Sequence, residues 1–239
     1  ETVFVDVDPR TLGIDWATAE KADITFLTHC LGFNALPETE TRSHQILIED
    51  CCEALGATSD GKKLGTYGLM SNFSFYYAHH MSTIEGGMIC TDDEKIYELL
   101  RMLRSHGLVR EMKNKEYKAT AASIALDLDP EFIFSHPAYN VRPTELNAVL
   151  GRAQLRRVDE QNAIRTANLT LFLGALNQDR YRTNYRIEGS SNYALPLIME
   201  APDQALFQKV TALLKELGVE YRKGTAGGGN QLRQPYAKE

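Results

Sequence analysis

Short apolar runs punctuate the first hundred positions, separated by spacers too long for tight hairpins. Thr2–Val7 (TVFVDV), Ile24–Thr28 (ITFLT) and Ile46–Ile48 read as strands, as do Asn72–Tyr77 (NFSFYY) and Gly87–Thr91 (GMICT). β-Branched and aromatic residues, which pack well on a pleated surface, are concentrated in these runs. Spacers of helix length between short strands predict βαβ units and a mostly parallel sheet. Between NFSFYY and GMICT lies AHHMSTIEG, a polar loop without period.

The period then changes. Thr91-Asp92-Asp93-Glu94 has the form of a capping box with Thr91 as N-cap, and Ile96, Leu99, Leu100 and Leu103 follow at helical spacing. Residues 108–138 carry no period and predict an irregular excursion. Pro143 is placed to open a helix whose buried stripe is Leu146, Val149, Leu150 and Ala153, continuing with a break to about Ala175. Beyond it, Tyr193–Met199 reads as a strand and Asp203–Leu217 as a helix with Leu206, Val210, Leu213, Leu214 and Leu217 on one face. Gly218 follows at C′, and Val219–Tyr221 reads as a strand. This β-α-β tail predicts two domains, residues 1–178 and a smaller α/β domain over 179–239. The chain opens on Glu-Thr-Val-Phe-Val without a methionine, so part of a longer protein is expected before it.

Composition narrows the picture. The 239 residues are 43% hydrophobic and 24% charged, which fits a soluble globular chain, and no apolar run reaches the roughly 18–20 residues a membrane span needs. A net charge of −6 argues against nucleic acid as a partner. The four cysteines (30, 51, 52 and 90) form no CxxC pair and no secreted framework, so reduced thiols in a cytoplasmic protein are expected.

Three polar groups fall at the ends of expected strands: Glu49-Asp50, Ser74 with His79-His80, and Glu85-Gly86-Gly87. Ligands bind beyond the carboxyl ends of strands in open parallel sheets, so the three are candidates for one site. Taken singly each has an ordinary alternative. Asp50 also suits a helix cap, Ser74 a satisfied strand hydroxyl, and the histidine pair a structural or surface role. A metal on His79, His80 and a cysteine has no HxxxH or CxxC spacing behind it, and no metal ligands are assigned.

Together these residues carry more. The stretch from Ile48 to Asp93 (IEDCCEALGA…GTYGLMSNFSFYYAHHMSTIEGGMICTDD) resembles the DegT/StrS group of pyridoxal-phosphate sugar aminotransferases. So do VFVDVDPRTLGID at 3–15, YNVRPTELNAVLGRAQLRRVDE at 139–160 and NQLRQPY at 230–236, matching the family's middle and C-terminal parts. The resemblance implies a type I pyridoxal-phosphate transferase fold, with the cofactor in the 1–178 domain. It implies that Asp50 pairs with the cofactor's pyridinium nitrogen, that Cys52 packs on its ring, that Glu53 lies near the ring hydroxyl, and that Ser74 binds the phosphate. Asn140 would reach the phosphate of a neighbouring subunit, which implies a homodimer.

The family motif SFxxxK is broken here. Ser74-Phe75-Tyr76-Tyr77-Ala78 ends in His79, and no lysine occurs between Lys63 and Lys95. An imidazole cannot tether the cofactor's aldehyde as an amine does, but it can serve as a general base near neutral pH. AHHMSTIEGG is similar to the loop of the pyridoxamine-phosphate-dependent sugar 3-dehydratases of this family. Their iron–sulfur subtype uses clustered cysteines downstream of the loop, where this chain has Cys90 alone. The resemblance therefore implies loss of the 3-hydroxyl from a nucleotide-linked 4-keto-6-deoxyhexose, with ammonia released and glutamate restoring the cofactor amine, in deoxysugar and O-antigen synthesis. His79 would be the base; His80, His106 and Asn230 are weaker candidates for substrate contact. A sugar aminotransferase that has lost its lysine, and a non-catalytic cofactor-binding relative, remain alternatives.

Overall fold

A computed structural model describes residues 2–19, 22–38, 46–123, 127–224 and 231–238. In chain order the strands are β1 (Ile24–Thr28), β2 (Ile46–Asp50), the short pair β3 (Thr58–Ser59) and β4 (Lys62–Lys63), β5 (Met70–Ser74) and β6 (Gly87–Cys90). The helices are α1 (Glu94–Leu103), α2 (Lys115–Ala122), α3 (Glu145–Leu155), α4 (Val158–Ala175) and α5 (Gln204–Glu216). No helix among the described residues is long and apolar enough to cross a membrane.

One sheet runs β1-β2-β5-β6, and β3 pairs with β4 in a hairpin. β1 and β5 flank β2 in parallel, and β6 joins β5 antiparallel, so the expected mostly parallel sheet is present. The register sets Leu27, Glu49 and Ser71 side by side, and Thr28, Asp50 and Asn72 side by side one residue later. Successive strand residues point to opposite faces, so these two rows look in opposite directions. Leu27, Glu49 and Ser71 are all fully buried.

The chain divides into two compact units, one of residues 1–176 and 183–196, the other of 177–182 and 197–239. In the first, Leu27, Ala35, Leu36, Cys51, Ala54, Ala57 and Leu64 form a core under the sheet, with Trp16 packed against it and donating to the Ala35 carbonyl at 2.8 Å. Phe33 stacks on Tyr185 with ring centroids 5.2 Å apart, over Leu169 and Leu173 of α4. A third cluster joins Met102 of α1 to Val109 and Ile133. In the second unit, Asp203 caps α5 by accepting from the Leu206 N–H at 2.9 Å. Gly218 ends that helix with φ of 68°, its N–H on the Lys215 carbonyl and that of Val219 on Leu214, the expected left-handed stop.

Several expectations are corrected. Thr2–Val7 is not a strand: a strand needs a ladder partner, and only Val7 bridges, to Ile14, with Val3 and Phe4 exposed. Tyr193–Met199 and Val219–Tyr221 are coil, apart from a bridge between Met199 and Tyr181. The N-cap of α1 is Asp93, which accepts from the Ile96 N–H at 2.9 Å; Thr91 bonds one turn earlier, to the Asp93 N–H. The buried side of α1 is Glu98 and Met102, because Glu98 accepts the Lys113 and Asn114 N–H groups at 2.7 and 2.8 Å. The excursion at 108–138 contains α2, capped by Asn114. The α4 helix follows α3 after a break, as expected, and Leu213 and Leu217 of α5 are exposed. On α3 the expected stripe is open, with Leu146 76% and Val149 65% exposed, while Gly151 is buried.

Candidate active site

Asp50 closes β2 at the carboxyl end of the parallel strands, where Thr28 and Asn72 sit beside it. Its Oδ1 accepts from Asn72 Nδ2 at 2.9 Å and from the Cys52 N–H at 3.1 Å. Its Oδ2 meets the Thr28 hydroxyl at 3.5 Å, a long contact that leaves this oxygen with acceptor capacity to spare. Asn72 Nδ2 also lies 3.1 Å from Cys52 Sγ. Burial, followed by the bond to Asp50, pushes the Cys52 thiol up to about 12, so it is a neutral wall to the site.

His79 stands in a tight turn, its N–H on the Tyr76 carbonyl at 3.0 Å. Its ring lies 5.3 Å from the Tyr193 ring, and its Nδ1 is buried without a hydrogen-bond partner. Burial holds its pKa below the usual histidine value, while the Cys52 carbonyl and the Asp50 charge pull the other way. The imidazole is therefore within electrostatic reach of Asp50 and available as a base at neutral pH. Ser74, at the end of β5, accepts the Tyr76 N–H at 3.3 Å and so begins this turn.

The loop carrying His79 is fastened from α3. Asn147 Nδ2 donates to the Thr83 and Glu85 carbonyls at 2.9 and 3.2 Å, and Gln154 exchanges two bonds with the Ser82 backbone at 2.7 and 2.9 Å. Asn147, Gly151 and Gln154 recur at helical spacing, so the face α3 turns to this loop is polar and small. That explains why the apolar stripe expected there points away. This face was missed because hydrophobic periodicity is blind to it; the recurrence of Asn, Gly and Gln is the signal that marks it.

Glu53 is buried and accepts the Leu31 N–H at 2.7 Å. That bond seats the Cys30–Phe33 turn, where Gly32 (φ of 83°) passes so close that a Cβ there would meet Asn192 N and Glu53 O at 2.9 Å. His106 and Asn140 come together on an exposed stretch: Ser105 bridges Asn140, the His106 N–H donates to Tyr139, and the Asn140 side chain accepts from Arg142. Asn230 lies outside the described residues. Asn72, Tyr193, Asn147 and Gln154 are site neighbours that the sequence reading did not single out.

His29, Glu49 and Cys51 offer ligand atoms within 4.8 Å of one another in the core. Their capacity is already spent. His29 Nδ1 accepts the Ala35 N–H at 3.2 Å, so Nε2 carries the proton and donates to Glu49 at 3.2 Å. Glu49 also accepts from the N–H groups of Gly65, Tyr67 and Gly68 at 2.7–2.8 Å, and burial raises the Cys51 thiol. The trio is a lock between strand and loop.

Residues 1–223 match the model of the DegT/DnrJ/EryC1/StrS aminotransferase family. The chain belongs to that family. It is 32% identical over 235 residues to GDP-4-keto-6-deoxy-D-mannose 3-dehydratase of Yersinia pseudotuberculosis, covering 94% of this chain and 59% of that protein. The fold matches E. coli GDP-4-keto-6-deoxy-D-mannose-3-dehydratase with bound hydrated PLP at TM-score 0.78 and 31% identity, over 94% of this chain and 60% of that one. A GDP-4-keto-6-deoxymannose-3-dehydratase with a trapped PLP-glutamate geminal diamine matches at TM-score 0.73 and 30% identity, over 91% of this chain and 58% of that one. The chain thus spans about three fifths of these relatives' lengths.

Proposed function

We propose that this chain is the catalytic part of a pyridoxal- or pyridoxamine-phosphate-dependent lyase that removes the 3-hydroxyl of a nucleotide-linked 4-keto-6-deoxyhexose. The observation that carries the reading is the His79 imidazole: half-buried, with Nδ1 enclosed and unpartnered, within reach of Asp50, at the position where a transaminase of this family keeps its lysine. The donor set fits the cofactor. Asp50 has one oxygen oriented by two donors and one with capacity left for a pyridinium N–H. When bound, the cofactor supplies an amine for the 4-keto carbon and a ring that accepts electrons.

The chain's own residues do the rest. Asp50 supplies the carboxylate that keeps a pyridine ring protonated, and Asn72 fixes its direction. Cys52 presents a neutral surface beside it. Ser74 offers a hydroxyl for the phosphate at the carboxyl end of the sheet. His79 takes and returns a proton at Nδ1, favoured because burial keeps the ring neutral at pH 7. With no amine at 79, the cofactor is held by these contacts rather than by a covalent tether. Glutamate is the amino donor in this reading, and a GDP-linked sugar is the substrate favoured by the relatives.

The active form in this reading is a cytoplasmic homodimer. The open α3 side, with Leu146, Val149 and Leu150, and the exposed Asn140 at the head of that segment support cover by a second copy. The test is mass analysis of the product formed from GDP-4-keto-6-deoxymannose with pyridoxal phosphate and glutamate. A 3-deoxy-4-keto sugar, lighter than the substrate by one oxygen atom, is expected together with ammonia. A 4-amino sugar would make the protein an aminotransferase instead.

A further inference from the structure

His80 is the more deeply buried of the two adjacent histidines, and its bonding is asymmetric. Its Nε2 lies 2.9 Å from the Ser191 carbonyl oxygen, which only accepts, so Nε2 carries the proton and Nδ1 is bare and unpartnered. The segment it grips is tied at three further points. Ser191 N–H donates to the Gly32 carbonyl at 3.1 Å, Tyr193 N–H to the Leu31 carbonyl at 2.9 Å, and Arg165 Nη1 to the Tyr193 carbonyl at 3.2 Å. The Tyr193 ring then lies against both histidines, 5.3 Å from His79 and 6.0 Å from His80.

We infer that His80 is a positioning residue for His79: by holding Ser191 it keeps the Tyr193 ring against the His79 imidazole and so sets that ring's place and its shielding from water. This deepens the proposed function, because it gives the second histidine of the pair a task in supporting the base. Among the described residues, the charged and titratable groups facing the pair are Asp50 and the Tyr76 phenol on the side of His79, Arg165 on the side of His80, and the Tyr193 phenol against both. Burial lowers the His80 pKa to about 4, and Arg165 and His79 add to that shift, so the clamp keeps one tautomer and no charge across the working pH range. A clamp that changed charge with pH would release Tyr193 as it titrated; this one does not.

The test reads His79 directly, without cofactor. The six histidines, labelled with ¹³C in the ring, are followed by NMR as pH is varied, with the His79 signal assigned from its loss in H79N. In H80L the clamp is gone, and the His79 titration is expected to move up towards the ordinary histidine value as water reaches the ring. H80Q keeps a donor at the Nε2 position and is expected to hold the His79 titration near that of wild type. Y193L keeps the His80–Ser191 bond but removes the ring, and is expected to shift His79 as H80L does; it serves where H80L does not fold. With the loaded enzyme, H80L is expected to lower kcat about tenfold with little change in KM, the loss from a base moved slightly out of line. An unmoved His79 titration in both H80L and Y193L overturns the inference. A titration that shifts in H80L and Y193L, while the wild-type protein yields an amino sugar, overturns the proposed function and leaves the clamp standing.

Discussion

Two rows of side chains cross the same three strands, one residue apart, and they are built for opposite purposes. Leu27, Glu49 and Ser71 face the core, where Glu49 is fully buried yet accepts four hydrogen bonds. Thr28, Asp50 and Asn72 face the loops, where Asp50 is half-buried and has one well-held oxygen and one nearly free. Both carboxylates belong to a single dipeptide. What separates them is saturation: a carboxylate whose lone pairs are filled by the fold has nothing left for a ligand, while one held on a single side is oriented and still reactive. Burial alone does not mark a functional acid.

The largest expected effects fall on the open side of this comparison. H79N removes the proposed base and is expected to lower the dehydration rate by about 10²–10⁴-fold, the usual contribution of a general base. Stability is expected to change by less than about 1 kcal/mol, since His79 Nδ1 makes no hydrogen bond in the fold and the ring is only half-buried. Steady-state rates and urea denaturation of the same preparation check both halves. H79K is the sharper variant, because an amine at 79 can capture the cofactor's aldehyde; near-ultraviolet absorbance of the captured cofactor should rise as dehydration falls. Dehydration that survives unchanged in H79K removes histidine from the chemistry.

The saturated side predicts the reverse. Replacing Glu49 by alanine leaves the Gly65, Tyr67 and Gly68 N–H groups and the His29 Nε2–H without their acceptor. Each buried donor left without an acceptor costs about 1–3 kcal/mol, so a loss of several kcal/mol is expected in the urea midpoint, while activity per folded molecule should hold. A Glu49→Ala protein of wild-type stability would mean that the lock is ornamental.

Acid separates the same groups in two windows. Burial lowers the His80 pKa from 6.5 to about 4, so below pH 6.5 the unfolded chain takes up a proton that the folded chain refuses, and stability is lost as pH falls towards about 4. Glu49 runs through the opposite mechanism. Burial alone would raise its pKa, but the bonds from His29, Gly65, Gly68 and Tyr67 together bring it below its ordinary 4.5. Its contribution is therefore complete above pH 4.5 and is lost as pH falls through the lower folded value. Urea midpoints measured against pH should show the upper loss flattened in H80Q and the lower one flattened in E49Q.

Much of this was legible from the chain, and the failures have physical causes. Ile24–Thr28 and Ile46–Ile48 are apolar runs with a partner on each relevant edge, and they are strands. Thr2–Val7 is as apolar but has no ladder beside it, and strand propensity without a partner forms nothing. The site was readable where residue type alone determines chemistry: Asp50 at a strand end, a histidine where an amine is expected. It was unreadable where the fold supplies the meaning. Asn72 matters because register sets it against Asp50, and Tyr193 because a bond more than a hundred positions long, from His80 to Ser191, draws it in. Helical period found α3, but its apolar side was assigned to the core although the polar recurrence of Asn147 and Gln154 faces inward.

The smallest expected effect tests whether orientation, the feature that distinguishes Asp50 from Glu49, has a function of its own. Asn72→Ala removes the 2.9 Å bond to Oδ1 but leaves the Cys52 N–H on the same oxygen. A hydrogen bond to a charged group is worth about 1.5–3 kcal/mol when fully desolvated, and here water can partly replace it, so a stability loss of about 1 kcal/mol is expected. The rate should fall by roughly tenfold, because the carboxylate stays in place with one of its two guides gone. Asn72→Asp separates loss of a donor from loss of direction. It sets a second anion where the amide was and deepens the rate loss, since both carboxylates then compete for the same cation. If both variants instead match wild type in rate, Asp50 needs no orienting partner, and the contrast between the two rows reduces to burial alone.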